Sequence, residues 1–131
     1  MAGLLLDTTV LIDVLRGRDA VVERLRAAAA GKVLLWTCAV NVEETVRGLR
    51  PSESAAAMHL FDGLRIAPLG RDEGAQAGDW RQLFARTGVT LAQADCLVAA
   101  AAAGVGATLA SGNPKDFPMD GVRVEVWPVG A

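Results

Sequence analysis

The N-terminal stretch from Gly3 to Asp13 constrains the fold of this chain more than any other segment. Leu4-Leu5-Leu6 is an apolar run that is too short for a core helix and is typical of a strand buried on both faces. The run ends at Asp7, and apolar residues then recur at helical spacing from Val10 to Leu15. Strand, acid and helix together predict the first half of a β-α-β unit, with a carboxylate at the carboxyl end of the strand. In open parallel sheets, functional sites lie beyond such strand ends.

Strand and helix signals alternate through the rest of the chain, which predicts an α/β fold with a parallel sheet and helices on both faces. The length of 131 residues and the hydrophobic content of 52% favour one folded domain, residues 1–131, over a disordered chain. Beyond the first unit, strands are predicted over 33–36, 64–67, 107–110 and 122–126, and helices over 19–30, 39–48, 52–63, 72–86 and 91–104. Side-chain caps for three of these helices are expected from Thr37, Ser52 and the sequence Thr90–Gln93.

Asp95 is the most informative polar residue because it interrupts a nearly all-apolar helix, Ala94–Ala99. A buried charge there costs several kcal/mol unless it is paired or bound to a cation. Two simpler readings stay open at this point. Asp95 can be a partly exposed acid that the positive end of its helix favours, and Asp7 can be a helix cap.

Further oxygen-bearing side chains follow other predicted strands. Glu44 lies on the helix after the second strand, although the adjacent Glu43 is an equal candidate from position alone. The turn after the fourth strand holds Ser111, Asn113 and Asp116, which are also ordinary turn residues.

These residues converge if the first and fourth strands are neighbours, because the strand order would then reverse between them. A set of oxygen donors without cysteine or histidine suits Mg²⁺ or Mn²⁺. Such an ion can activate water and stabilise charge on a phosphodiester.

Composition excludes several other kinds of site. The net charge of −2 argues against nucleic-acid binding through charge alone. The single histidine, His59, cannot supply a two-histidine ribonuclease, and no nucleophile-elbow motif accompanies it for a triad. The two cysteines lack zinc-ligand spacing, and we expect a reduced, cytoplasmic protein without a signal peptide or membrane span.

The chain resembles PIN-domain ribonucleases, and within that family it is similar to the VapC toxins of bacterial toxin–antitoxin pairs. The resemblance covers nearly the whole length, and although each motif is weak alone, the four in series are specific. They are Leu5–Asp13, Glu44–Gly48, Asp95–Ala100 and Ser111–Phe117.

The resemblance implies metal-ligand roles for particular residues. The first three metal carboxylates of the family fall on Asp7, Glu44 and Asp95. Many members carry the fourth acid where this chain has Asn113, and others carry it where this chain has Asp116. The resemblance therefore implies Asp116 as the fourth ligand, and it implies that Asn113 and Ser111 position water or substrate.

The same resemblance implies a five-stranded parallel sheet and endonucleolytic cleavage of RNA that depends on Mg²⁺ or Mn²⁺. It also implies a homodimer and a cognate VapB-type antitoxin. Trp80 and Phe84, on the predicted helix 72–86, would provide apolar surface for such contacts.

Two other functions fit parts of the pattern. A degenerate PIN scaffold would bind RNA or a protein partner without cutting, and the uncertain fourth ligand keeps that alternative open. A phosphatase or phosphotransfer domain would use Asp7 as a nucleophile. Such phosphatases usually need a second acid two residues later, where this chain has Thr9.

Overall fold

Strands and helices alternate along the chain in the computed structural model, which describes residues 3–130. The strands are β1 (Gly3–Leu6), β2 (Leu34–Cys38), β3 (Arg65–Ala67), β4 (Thr108–Ser111) and β5 (Val124–Val126). The helices are α1 (Thr8–Leu15), α2 (Asp19–Ala30), α3 (Ala39–Arg47), α4 (Ser54–Asp62), α5 (Arg71–Ala85) and α6 (Gln93–Gly104), with short 3₁₀ turns at Pro51–Glu53 and Pro114–Asp116.

The strands form one parallel sheet in the order β3-β2-β1-β4-β5. This confirms the predicted α/β class and the edge position of β5, and it meets the condition for convergence of the acids, because β1 and β4 are neighbours. Leu6 pairs with Ala110, and the backbone N–H of Asp7 donates to the carbonyl of Ala110 at 3.0 Å. The order of the strands reverses between β1 and β4, so Asp7 and Ser111 lie side by side at the switch point.

Both faces of the sheet are covered, as a parallel sheet requires. Successive residues of a strand point to opposite faces, so Leu5 and Leu6 enter two different hydrophobic clusters. The Leu5 cluster contains most of α6, including Val98 and Ala101, while the Leu6 cluster contains α1 and parts of α2 and α4.

The three predicted caps are wrong. Thr37 belongs to β2, where it pairs with Ile66 and its hydroxyl donates to the carbonyl of Leu6 at 3.4 Å. Thr37 is therefore paired in the sheet, although the local sequence pattern predicted that it caps a helix. Ser52 lies inside the 3₁₀ turn that precedes α4.

The helix predicted over 91–104 begins at Gln93 instead, after Ala92, without a side-chain cap. Leu91 is buried in the core, and its carbonyl accepts a hydrogen bond from Arg81 Nε at 3.0 Å. Packing and this bond hold Leu91 outside the helix, so the Thr90–Gln93 capping box does not form.

The helix α5 supplies less free apolar surface than its sequence suggested. Trp80 is only 8% exposed and belongs to the core, and Phe84 is half-buried against it. Leu83 is the exposed apolar residue of this helix, with 54% of its surface accessible.

Within residues 3–130, every helix is too short or too polar to cross a membrane.

Candidate active site

Asp7 lies at the end of β1, is 8% exposed and uses both carboxylate oxygens. Oδ2 accepts a hydrogen bond from the Ser111 hydroxyl at 2.7 Å, and Oδ1 accepts one from Asn41 Nδ2 at 3.3 Å. Although Asp7 occupies the cap position of α1, its side chain makes no capping hydrogen bond. The two oxygens therefore connect the end of β1 to β4 through Ser111 and to α3 through Asn41.

The pKa of Asp7 is raised above its ordinary value mainly by burial. The hydrogen bonds from Ser111 and from the backbone of Thr8 lower it in part, and the charges of Glu44 and Asp116 raise it further.

The structure distinguishes Glu44 from Glu43. Glu44 is half-buried, and its Oε1 accepts a hydrogen bond from the Thr8 hydroxyl at 2.8 Å, which brings it to the end of β1. Glu43 is exposed and pairs with Arg47 one helical turn away, with N···O distances of 2.9 Å. Only Glu44 faces Asp7.

Asp95 lies in the first turn of α6 and is partly buried. Burial and then the charges of Asp116, Asp7 and Glu44 raise its pKa to about 6. The positive end of the helix would lower this pKa, so burial and like charge dominate. The result argues against the simple reading of Asp95 as an acid that its helix end stabilises.

The residues at the end of β4 and in the turn that follows it differ in burial and in their contacts with the acids. Ser111 is fully buried, and its Oγ accepts a hydrogen bond from the backbone N–H of Asn113 at 3.0 Å. The side chain of Asn113 is exposed to solvent. Asp116 is half-buried, and its charge raises the pKa of both Asp7 and Asp95. The structure thus brings Asp116 close enough to act on the other acids, whereas for the Asn113 side chain it shows exposure to solvent.

The C-terminal segment packs onto this turn, which sequence reasoning missed. A Cβ atom added at Gly112 would lie 1.8 Å from Cγ2 of Val129, so only glycine leaves room for that side chain. The N–H of Gly112 also donates to the Thr9 hydroxyl at 3.4 Å. The contacts of Gly112 with the side chains of Val129 and Thr9 therefore help to fix the turn between Ser111 and Asp116.

Asn41 was also missed. It is fully buried on α3, and it contacts Asp7 and Thr8. Helical phase could have revealed it, because Asn41 lies one turn before Thr45 on the buried side of the helix, three positions from Glu44.

The charges of Glu44 and Asp116 therefore act on both Asp7 and Asp95 at the switch point, and we call Asp7, Glu44, Asp95 and Asp116 the acidic set. Among residues 3–130, no three His, Cys, Asp or Glu side chains lie close enough, as they stand, to enclose a metal ion. In the same part of the chain, no basic group lowers the pKa of Asp7 or Asp95. A set of carboxylate donors in which like charges raise the pKa of Asp7 and Asp95 has the chemistry that suits a hard divalent cation.

The parallel sheet and the acids at its switch point define an α/β protein with an oxygen-donor site. Residues 4–118 match the family model of the PIN domain, and the chain therefore belongs to the PIN-domain family. No curated protein sequence matches the chain.

Several solved structures share this fold. DNA-bound VapBC from Salmonella typhimurium is similar with a TM-score of 0.83 and 21% identity, over 97% of this chain and 99% of that one. A toxin–antitoxin complex from Klebsiella pneumoniae gives 0.73 and 25%, over 93% and 95%. VapC20 of Mycobacterium tuberculosis, a toxin that cleaves the sarcin–ricin loop, gives 0.63 and 19%, over 92% and 99%.

Proposed function

We propose that this chain is a VapC-type toxin, an endoribonuclease that depends on Mg²⁺ or Mn²⁺, and that residues 1–131 form a single PIN domain. The observation that carries the proposal is that Asp7 and Asp95 lie at the switch point, where burial and the charges of Glu44 and Asp116 raise the pKa of both carboxyl groups. Family membership and the likeness to toxin structures support it.

The acidic set would hold the ion through Asp7, Glu44, Asp95 and Asp116. A bound divalent cation would lower the pKa of a water molecule and neutralise charge on the phosphodiester. The buried Ser111 keeps Asp7 oriented and favours its ionised form. The side chain of Asn113 is exposed, and in this proposal it would position water or substrate.

The protein would associate with a VapB-type antitoxin and with a second copy of itself. Similar solved structures are toxin–antitoxin complexes, and this observation supports the first contact. Exposed apolar side chains on and after α5 support the existence of a protein interface, with Leu83 at 54% and Val89 at 42% exposure.

A cleavage assay with purified protein and labelled RNA tests the proposal. We expect cleavage with Mn²⁺ or Mg²⁺, none with excess chelator, and none with Asp95→Asn under either condition. Complete cleavage in chelator would exclude a metal-dependent mechanism. Tight RNA binding without cleavage at any metal concentration would instead identify a non-catalytic scaffold.

A further inference from the structure

The side-chain amide of Asn41 is completely buried and contacts both Asp7, a member of the acidic set, and Thr8. Nδ2 donates to Asp7 Oδ1 at 3.3 Å and to Thr8 Oγ1 at 3.1 Å. A buried amide costs free energy unless its hydrogen bonds are made, and here they are made to the proposed site.

The surrounding groups determine which way the amide points. Ionised Asp7 can only accept hydrogen bonds. The Thr8 hydroxyl donates its hydrogen to Glu44 Oε1 at 2.8 Å and can otherwise only accept. Both therefore need a donor from Asn41. On the opposite side, the thiol of Cys38 donates to Asn41 Oδ1 at 3.1 Å. A flipped amide would place its oxygen against two acceptors.

We propose that Asn41 is a positioning residue that sets the spacing between two metal ligands, Asp7 and Glu44. The inference rests on the proposed function. Asn41 acts on Asp7 directly and on Glu44 through Thr8, so it connects the end of β1 to α3. Groups that hydrogen-bond to metal ligands from outside orient them and tune metal affinity.

A neutral amide suits this role better than a charged side chain would. Lysine or arginine at the same place would also bind the carboxylates, but its charge would compete with the cation. Asn41 orients Asp7 and leaves the negative charge of the acidic set available for the metal.

Cys38 contacts the oxygen end of the Asn41 amide, opposite Asp7. It is fully buried, and its hydrogen bond to Oδ1 helps to hold Asn41 in the orientation that presents Nδ2 to Asp7. Sulfur is a weak donor, so its removal should have a smaller effect than removal of the amide.

Calorimetric measurement of the Kd for Mn²⁺, with the full chain and no RNA, tests the role of Asn41. We expect Asn41→Ala to raise the Kd by about 10- to 100-fold, the usual effect of losing such a supporting group. Thr45→Val is the matched control. Thr45 is fully buried on the same helix, its hydroxyl makes no hydrogen bond within the described residues, and the substitution should leave the Kd unchanged.

A second pair of variants decides the question if Asn41→Ala fails to fold. Cys38→Ala should raise the Kd for Mn²⁺ by a smaller factor, whereas Cys38→Ser keeps a donor to the amide and should bind Mn²⁺ as the native chain does. Equal affinities for the native chain and both Cys38 variants would then overturn the positioning role.

The possible results separate this inference from the proposed function. A native chain that neither binds Mn²⁺ nor cleaves RNA would overturn both. A native chain that binds Mn²⁺, beside a folded Asn41→Ala variant with the same Kd, would overturn the role of Asn41 alone. A lower melting temperature with an unchanged Kd would show that Asn41 only stabilises the fold.

Discussion

The hydroxyl of Ser111 donates a 2.7 Å hydrogen bond to Asp7 Oδ2, across 104 positions of sequence and between the ends of two neighbouring strands. Both residues are buried, so the bond is shielded from water. It lowers the pKa of Asp7 and partly offsets the effect of burial. The carboxylate at the end of β1 is therefore oriented by β4 before any ligand arrives.

Ser111→Ala should destabilise the protein by about 1.5–3 kcal/mol, the range for a hydrogen bond to a charged group. Urea unfolding at pH 7 measures the loss. In an Asp7→Asn background the same substitution should cost less, because the charged acceptor is gone. An equal cost in both backgrounds would contradict the importance of the Ser111–Asp7 bond.

Asp95→Asn should make the metal-free protein more stable at pH 7. The folded pKa of Asp95 is about 6, above its ordinary value of 3.8, so the folded state binds the extra proton between these values. The native protein therefore loses stability as the pH rises from about 4 to about 6, and the loss is complete above the folded pKa. Asparagine removes this loss.

Thermal melts of the metal-free native chain and Asp95→Asn between pH 3.5 and 8 test this prediction. The melting temperatures should converge at the acidic end and separate above pH 6, with the variant higher. A variant that melts lower than the native chain at every pH would indicate a structural role for Asp95.

Mn²⁺ should raise the melting temperature of the native chain, because a ligand of the folded state stabilises it. At 100 times the Kd the gain is about 2.7 kcal/mol. Asp95→Asn removes one proposed ligand and should gain less at the same concentration. Equal gains in both proteins would argue that the ion binds elsewhere.

Glu44→Gln and Glu43→Gln form a matched pair on adjacent positions of α3. Glu44 belongs to the acidic set, so its substitution should abolish RNA cleavage and weaken Mn²⁺ binding. Glu43 pairs with Arg47 on the surface, so its substitution should leave both unchanged. Cleavage rates and Mn²⁺ titrations of the two variants, compared with the native chain, would expose a wrong assignment if the effects were reversed.

Gly112→Ala should destabilise the protein by about 1–3 kcal/mol, because the new Cβ overlaps Val129. The double variant Gly112→Ala/Val129→Ala should recover part of that loss, since the smaller side chain makes room. Chemical unfolding of the two variants and of Val129→Ala alone gives the coupling between the positions. Additive losses would mean that Val129 does not pack on the turn.

The sequence by itself determined the α/β class, the alternation of strands and helices, and the position of Asp7 at a strand end. These features are local, because apolar periodicity and strand length depend on neighbouring residues. The resemblance to PIN domains also implied Asp7, Glu44 and Asp95 as metal ligands.

Only the tertiary structure decided which side chains meet. Glu43 and Glu44 are equivalent by composition, and α3 separates them by turning one towards Thr8 and the other towards Arg47. Sequence signals also placed Thr37 at a helix cap, whereas sheet pairing holds it in β2.

Asn41 shows the physical reason for this limit. An asparagine inside a helix carries no distinctive local signal, and its role arises from hydrogen bonds to Asp7 and Thr8, which lie 34 and 33 positions away. Val129 likewise reaches the turn at Gly112 only because β5 pairs with β4. Local patterns specified the elements, and long-range pairing and burial specified the site.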